Sequence, residues 1–339
     1  MFIKKLLSIV FGVLFAFFLC EIVLRIYNPF QSRVRGNEII LKSNYSKKIV
    51  IDPPILGLEN KVKYSTNALG FRGEAPPKDW SSRITLITVG GSTTECSLLS
   101  DDSTWTAKLY QKLKKDIPSV WVNNAGLDGC STYGHQILMR DYVVKLKPNY
   151  VVFLIGINDL SKSSFKQEDG FLINRQESLI RKLIKKSELL TTISNVKEAL
   201  ISQKADLDHG KSPNDYKNNE SNSLDSIQKI NVLNQLNSNK LTYIDRVIQL
   251  KEVCQKNNIT PIFVTQPMYD DEQSFTWKMM EVYNTALLDY CHMNKLICID
   301  LGKEMPKTIQ YYYDHIHYTN TGSSAIAEIL YQKLKNIIK

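Results

Sequence analysis

From residue 84 onward, short apolar runs rich in β-branched side chains alternate with longer segments of helical periodicity. Runs of this kind, bounded mostly by glycine, asparagine or proline, are typical of strands buried on both faces of a parallel sheet. Five strands are therefore predicted, at Ile84–Val89, Val120–Asn123, Tyr150–Ile155, Thr260–Thr265 and Leu296–Asp300.

Between and after these strands, apolar residues recur every three or four positions, which predicts helices. The helices span about 103–115, 133–146, 225–256, 275–293 and 322–338. Asp102 or Ser103 is the expected N-cap of the first helix, and Pro148 follows the end of the second. This alternation predicts an α/β fold class, with a five-stranded parallel sheet joined by right-handed crossovers.

Residues 1–27 follow a different pattern. Lys4 and Lys5 precede the apolar run Leu6–Cys20, and apolar residues resume after Glu21, without a small-residue cleavage site. We expect an uncleaved transmembrane signal anchor, with the domain that follows outside the cytoplasm, periplasmic or extracellular. Three arginines between residues 25 and 35 weigh against that orientation. The alternative, a buried helix of a soluble protein, is disfavoured because the run has hardly any polar face.

Two stretches lack regular periodicity. Residues 28–80 carry many turn signals and are expected to form an irregular arm or linker, with a compact turn at Asn67–Gly73. Residues 160–225 interrupt the domain at 81–339 as a helical and polar insertion that could cap the site. Within it, a helical piece at 176–203 leads into a polar tract at 204–223 that is expected to be a mobile loop.

Composition excludes several classes. The chain has 339 residues, 43% of them hydrophobic and 23% charged, which is ordinary for a globular protein. The net charge of +9 comes from dispersed lysines, so no nucleic-acid partner is expected, while weak attraction to anionic lipid or acidic glycan stays open. The six cysteines form no C-x-x-C pair and have no zinc-like histidine spacing.

Four polar loops follow predicted strands or precede the last helix. They are Ser92 after Gly90-Gly91, Asn124–Gly129, Gly156–Asp159 and Asp314–His317. The carboxyl ends of parallel strands meet at one edge of a sheet, so these loops should converge there.

The residue types in these loops suit acyl transfer. Ser92 would be the nucleophile, His317 the general base, and Asp314, three residues before it, the group that holds the imidazole tautomer. His315 ranks second as the base because it is adjacent to Asp314 and should point away. Taken singly, each motif also fits a plain structural role, as a tight turn, an Asx turn or a helix cap.

A transition-state oxyanion would need hydrogen-bond donors at the same edge. The Ser92 N–H, the Gly129 N–H and the Asn158 side-chain amide are the candidates for this oxyanion hole. Glycine allows close backbone approach and asparagine offers an N–H₂ donor.

In order and placement, these blocks resemble the SGNH (GDSL-like) hydrolase family over about residues 84–335, with 160–255 poorly matched. The resemblance implies a flavodoxin-like three-layer α/β/α fold, ester hydrolysis or acyl transfer, and no metal or cofactor. It places the family's four letters on Ser92, Gly129, Asn158 and His317. The membrane-anchored members look closest, since Asn67–Arg72 fits their Asn-x-x-Gly-Phe-Arg arm.

Two positions depart from the family pattern. Gly91 stands where an aspartate is usual, and Cys96 stands where the block ends in glycine. The sequence leaves two arrangements open for these cysteines. Cys130 directly follows Gly129, so a Cys96–Cys130 disulfide could clamp the two loops if the domain is outside the cytoplasm. The alternative is two buried thiols.

The leading hypothesis is a membrane-anchored serine esterase or deacylase that acts on an O-acyl ester, acetyl or short acyl, of a glycan, lipid or small molecule. An O-acyltransferase with the same site and a non-catalytic member that binds a glycan or protein are the alternatives. A phosphate-binding protein is weaker, because no Walker lysine follows Gly90–Thr94. The sequence gives no signal for oligomeric state.

Overall fold

The computed structural model describes residues 2–27, 34–35, 38–160, 187–193, 226–269 and 275–338. The chain forms two compact units, one of residues 1–40 and 170–209 and the other of 41–169 and 210–339. The predicted polar tract at 204–223, and the predicted helix at 176–203 apart from 187–193, lie outside the described residues.

The first unit contains helix α1, Phe2–Ile26, which has no buried residue. It is long and apolar enough to cross a membrane, and it is the one such helix in the described part of the chain. The Glu21 carboxylate, which interrupts the apolar run, accepts hydrogen bonds from Ser187 Oγ (2.8 Å) and Leu189 N (3.1 Å). Two short strands, β1 (Val34–Arg35) and β2 (Glu38–Ile39), pair antiparallel.

The second unit is built on the predicted five-stranded parallel sheet. Its strands are β5 (Ile84–Gly90), β6 (Val120–Asn124), β7 (Tyr150–Leu154), β8 (Thr260–Val264) and β9 (Ile297–Ile299). The spatial order β6-β5-β7-β8-β9 is that of a flavodoxin-like fold. The direction of winding reverses between β5 and β7, so their carboxyl ends border the crevice where such sheets bind ligands.

Helices flank this sheet. They are α2 (Ser92–Glu95), α3 (Trp105–Asp116), α4 (Thr132–Leu138), α5 (Val144–Leu146), α6 (Ser226–Lys256), α7 (Phe275–Met293), α8 (Leu301–Glu304) and α9 (Asn320–Leu334). On one face, Leu86 and Val152 share an apolar cluster with Trp105 of α3 and Leu330 of α9. On the other face, α4 and α7 pack against α6. The three-layer α/β/α prediction is confirmed.

The helix boundaries show where local chemistry changed the prediction. The N-cap of α3 is Thr104, whose side chain accepts from Ala107 N, and not Asp102 or Ser103, because residues 101–103 form a 3-10 turn. The helix predicted at 133–146 is interrupted by a π-helical turn at Met139–Val143. The last helix begins at Asn320, two residues earlier than predicted, because Thr319 caps it.

The sequence predicted an irregular arm or linker at residues 28–80, but part of this segment has regular structure. Strands β3 (Ser46–Val50) and β4 (Lys61–Ser65) form an antiparallel hairpin whose Val62 and Tyr64 side chains are buried. Beyond it, the main chain of Arg72 exchanges two 2.9 Å hydrogen bonds with that of Asn124 at the end of β6. Part of the predicted arm is thus built into the second unit.

Of the two arrangements left open for Cys96 and Cys130, the structure has the two thiols without a disulfide between them. Both residues are buried thiols outside any disulfide, and Cys96 Sγ donates instead to Thr93 O at 3.3 Å. Cys96, the residue after α2, has a left-handed backbone conformation, and its side chain lies in the apolar cluster. The disulfide in the described structure joins Cys291 and Cys298, whose Cα atoms are 6.2 Å apart.

Candidate active site

The turn from β5 into α2 is so tight that it needs glycine. A Cβ at Gly90 would collide with Thr94 Oγ1 and lie 2.6 Å from Leu154 O. A Cβ at Gly126, in the loop after β6, would lie 2.7 Å from the Thr94 carbonyl carbon. These close approaches hold Ser92 as the first residue of α2, at the carboxyl edge of the sheet.

The segment before α9 brings a histidine to this serine. His317 Nε2 lies 2.8 Å from Ser92 Oγ, and His317 Nδ1 lies 2.6 Å from Asp314 Oδ2. Asp314 Oδ1 also accepts from the backbone N–H groups of Ile316 (2.8 Å) and His317 (2.7 Å). The structure therefore brings the three residues predicted as a triad into one hydrogen-bonded chain, with all three side chains largely buried.

The environment of Asp314 favours its ionised form. Burial alone would raise the pKa of this carboxyl, but the hydrogen bonds from His317 and from the backbone N–H groups outweigh it and hold the pKa below its ordinary value. A carboxylate at this position accepts a hydrogen bond from a protonated Nδ1. The other ring nitrogen, His317 Nε2, is then the acceptor that faces Ser92 Oγ.

His315 does not take part in this chain. Its Nδ1 lies 3.0 Å from the backbone oxygen of Tyr269. The structure thus places His317, and not the second-ranked His315, against Ser92.

The predicted oxyanion donors lie on the loops around Ser92. Asn158 Nδ2 donates to Cys130 O at 2.9 Å and sits so close to Gly91 that a Cβ there would collide with it. Gly129 adopts a left-handed φ of +72° that suits glycine, in the loop beside Cys130. Ser92 begins α2, and the first N–H groups of a helix have no partner within it.

A buried ion pair lies under the 157–159 turn. Asp159 accepts from Thr132 Oγ1 (2.5 Å) and from Arg246 Nη2 (3.0 Å), while Arg246 Nη1 donates to Tyr133 OH (3.1 Å). The sequence analysis missed Arg246, which lies in α6 and belongs to no motif. The one feature of the sequence that could have pointed to Arg246 is that it is the single arginine in the helical pattern of α6.

A small cavity opens beside the triad. The ring of Tyr313 stacks on the His317 imidazole, with centroids 5.5 Å apart and an angle of 9° between the planes. The volume open to the centre of a water molecule is about 10 Å³, close to that of one bound water. The lining side chains, besides Ser92 and His317, are Thr93, Cys96, Leu98, Leu99, Tyr313 and Tyr318.

Cys96 is not a competing nucleophile. Burial raises the pKa of its thiol to about 12, so the thiolate is scarce at neutral pH. Within the described ranges, no group of three or more His, Cys, Asp or Glu side chains is arranged to hold a metal ion.

The model of the GDSL-like Lipase/Acylhydrolase family matches residues 87–325. A search of curated protein sequences finds no significant match.

Solved structures similar to the chain share little sequence with it. A GDSL-like lipase from Bacteroides thetaiotaomicron has 13% identity and a TM-score of 0.43, covering 78% of this chain and 91% of its own. A hydrolase from a Lake Arreo metagenome has 15% identity and a TM-score of 0.45, with coverages of 77% and 98%. A catalytic mutant of an acetylxylan esterase from Geobacillus stearothermophilus has 15% identity and a TM-score of 0.46, with coverages of 75% and 94%.

Proposed function

The chain belongs to the GDSL-like lipase/acylhydrolase family, and from this premise we propose that it is a membrane-anchored serine esterase for acetyl or short O-acyl esters of a glycan, lipid or small molecule. The family match makes it a serine hydrolase of the GDSL type. The observation that carries the finer proposal is the chain of hydrogen bonds from Ser92 Oγ through His317 to Asp314.

In the proposed reaction, Ser92 Oγ attacks the ester carbonyl carbon while His317 Nε2 accepts the hydroxyl proton. Asp314 keeps the other imidazole proton on Nδ1 and stabilises the imidazolium that forms. When the tetrahedral intermediate collapses, the C–O bond to the alcohol breaks and His317 returns the proton to the departing oxygen. Water, activated by the same histidine, then attacks the acyl-enzyme and releases the carboxylic acid.

The negative charge on the carbonyl oxygen would be met by three donors, the Ser92 N–H, the Gly129 N–H and Asn158 Nδ2. The position of Asn158 Nδ2 next to Gly91 supports its share in this role. Losing one such donor typically costs about 3–4 kcal/mol of transition-state stabilisation.

The size of the cavity beside Ser92 favours a small acyl group. A space for about one water molecule matches the methyl group of an acetyl ester more closely than a long alkyl chain. Its lining includes the apolar side chains of Leu98 and Leu99, which suits a methyl group.

We further propose that α1 anchors the protein and that the catalytic unit lies outside the cytoplasm. The length and composition of α1 fit an anchor as well as a signal peptide. The Cys291–Cys298 disulfide supports an oxidising compartment. Retention of full-length protein in alkali-washed membranes supports the anchor, whereas release of a shortened chain identifies a cleaved signal peptide.

Hydrolysis of p-nitrophenyl acetate, butyrate and octanoate by the full-length protein in detergent tests the proposal, with Ser92→Ala and His317→Ala as variants. We expect acetate to be the best substrate, both variants to lose at least about 10³-fold in kcat, and a fluorophosphonate probe to label Ser92. A folded wild type that hydrolyses none of these esters and is not labelled would refute the esterase assignment.

A further inference from the structure

Arg72, from the segment before the sheet, is buried beneath the end of α2, with 3% of its surface exposed. Its Nη1 donates to the backbone oxygens of Glu95 (2.6 Å) and Cys96 (2.7 Å), and its Nη2 donates to that of Leu99 (2.8 Å). The last carbonyls of a helix have no partner within it. One guanidinium therefore satisfies the carbonyl of Glu95, the last residue of the helix that begins with Ser92, and two carbonyls just after it.

The Arg72 side chain is itself held in place from several sides. Its Nη2 lies 2.9 Å from Asp101 Oδ1, and its guanidinium carbon lies 4.5 Å from the centre of the Tyr64 ring. Its main chain is bonded to that of Asn124, the residue at which the 124–129 loop begins. Arg72 therefore contacts both the nucleophile helix and the start of the proposed oxyanion loop.

Glu95, the last residue of α2, makes a second connection between these two elements. Its carboxylate is buried, and Oε2 accepts from the Asp128 N–H at 2.6 Å while Oε1 accepts from Tyr64 OH at 2.8 Å. On the far side of Gly129, Cys130 O accepts from Asn158 Nδ2 at 2.9 Å. Gly129 is thus held between two fixed neighbours, and one of them is fixed by the helix of Ser92.

We infer that Arg72 and Glu95 are positioning residues that set the Gly129 N–H relative to Ser92 Oγ. The inference rests on the proposed function, in which these two groups meet the same carbonyl. An oxyanion donor is effective only when it is aimed in advance at the developing charge, and a small displacement costs a large part of its effect. The segment before the sheet would then be part of the catalytic machinery, in addition to linking it to α1.

Glu95→Gln is the sharpest test, because the amide has nearly the same shape but presents N–H₂ to one of the two donors that the carboxylate accepts. We expect kcat for p-nitrophenyl acetate to fall about 10–100-fold, with KM within about twofold, since the donor acts mainly in the transition state. Glu59→Gln is the matched control. The Glu59 carboxylate accepts from Ser100 and Ser103 hydroxyls, and neutralising it should leave kcat within about twofold.

Arg72→Lys provides a second test if the Glu95 variant fails to fold. Lysine keeps the charge but lacks the planar fork that reaches three carbonyls, so we expect a similar loss in kcat at unchanged KM. Folding is checked by near-UV circular dichroism. A folded Glu95→Gln or Arg72→Lys enzyme with wild-type kcat, or with a change in KM alone, would overturn the inference. A wild type that is inactive and unlabelled at Ser92 would overturn the proposed function, and this inference with it.

Discussion

Gly91 shows how a single residue can couple two parts of the site. The sequence analysis treated it as a departure from the usual aspartate, and the structure gives a reason. A Cβ at this position would collide with Asn158 Nδ2, which the proposed function assigns as an oxyanion donor. An aspartate at residue 91 would require a different position for Asn158 in this chain.

We predict that Gly91→Ala lowers kcat about 10²–10³-fold by displacing the Asn158 amide. Asn158→Ala should lose a similar amount, and the double variant should be little worse than either single one, because both changes remove the same donor. Rates of ester hydrolysis by the wild type, the two single variants and the double variant complete this double-mutant cycle. Fully additive losses would mean that Gly91 acts on something other than Asn158.

Leu98 is the residue with which to test the size of the cavity. It lines the space beside Ser92 and is partly exposed, so truncating it should enlarge the space at little cost to folding. We predict that Leu98→Ala raises kcat/KM for butyrate relative to acetate by about tenfold, the effect of one or two methylene groups. Leu56→Ala, at an 82% exposed position, is the control. An unchanged preference would show that this cavity does not hold the acyl group.

At the scale of elements, α6 and the turn at residues 157–159 are joined by the Asp159–Arg246 pair. Both side chains are nearly fully buried, so removing one partner leaves a charge that neither water nor a counter-ion meets. We predict that Arg246→Ala lowers the free energy of unfolding by about 3–5 kcal/mol. Arg140→Ala, which breaks the exposed pair with Asp141, should cost less than about 1 kcal/mol. Urea denaturation compares the two, and equal losses would contradict the argument.

The elements that the sequence predicted well are those whose pattern depends on burial. Four of the five central strands are buried along nearly their whole length, so their apolar runs were clear. The bounds of all five strands agree with the prediction to within one residue at each end. The β3–β4 hairpin was missed because four lysines mask its alternation, in which Val62 and Tyr64 alone are strongly buried. The cap of α3 and the π-helical turn depend on local hydrogen bonds that no periodicity reveals.

At the scale of the whole molecule, the topology is what allowed the candidate site to be predicted. Residues 225 positions apart, such as Ser92 and His317, meet because parallel strands end at one edge of the sheet. Partners within the core were not predictable in this way. The sequence left open whether Cys96 pairs with Cys130, and the fold places Cys96 in the apolar cluster. Nothing in the sequence linked Arg72 to the end of α2.

The stability of the whole molecule should depend on pH through Asp314. Its pKa is held below the ordinary value of 3.8, so the folded state binds this proton less readily than the unfolded chain does. The resulting stabilisation is fully present above that ordinary value and is lost as pH falls through the lower pKa of the folded state. We therefore predict that the difference in unfolding free energy between wild type and Asp314→Asn is largest at neutral pH and shrinks toward pH ~3. Urea denaturation across this range measures it, with the exposed Asp52→Asn variant as control. A difference that grows on acidification would contradict this prediction. It would show that burial, rather than the hydrogen bonds from His317 and the backbone, sets the direction of the pKa shift of Asp314.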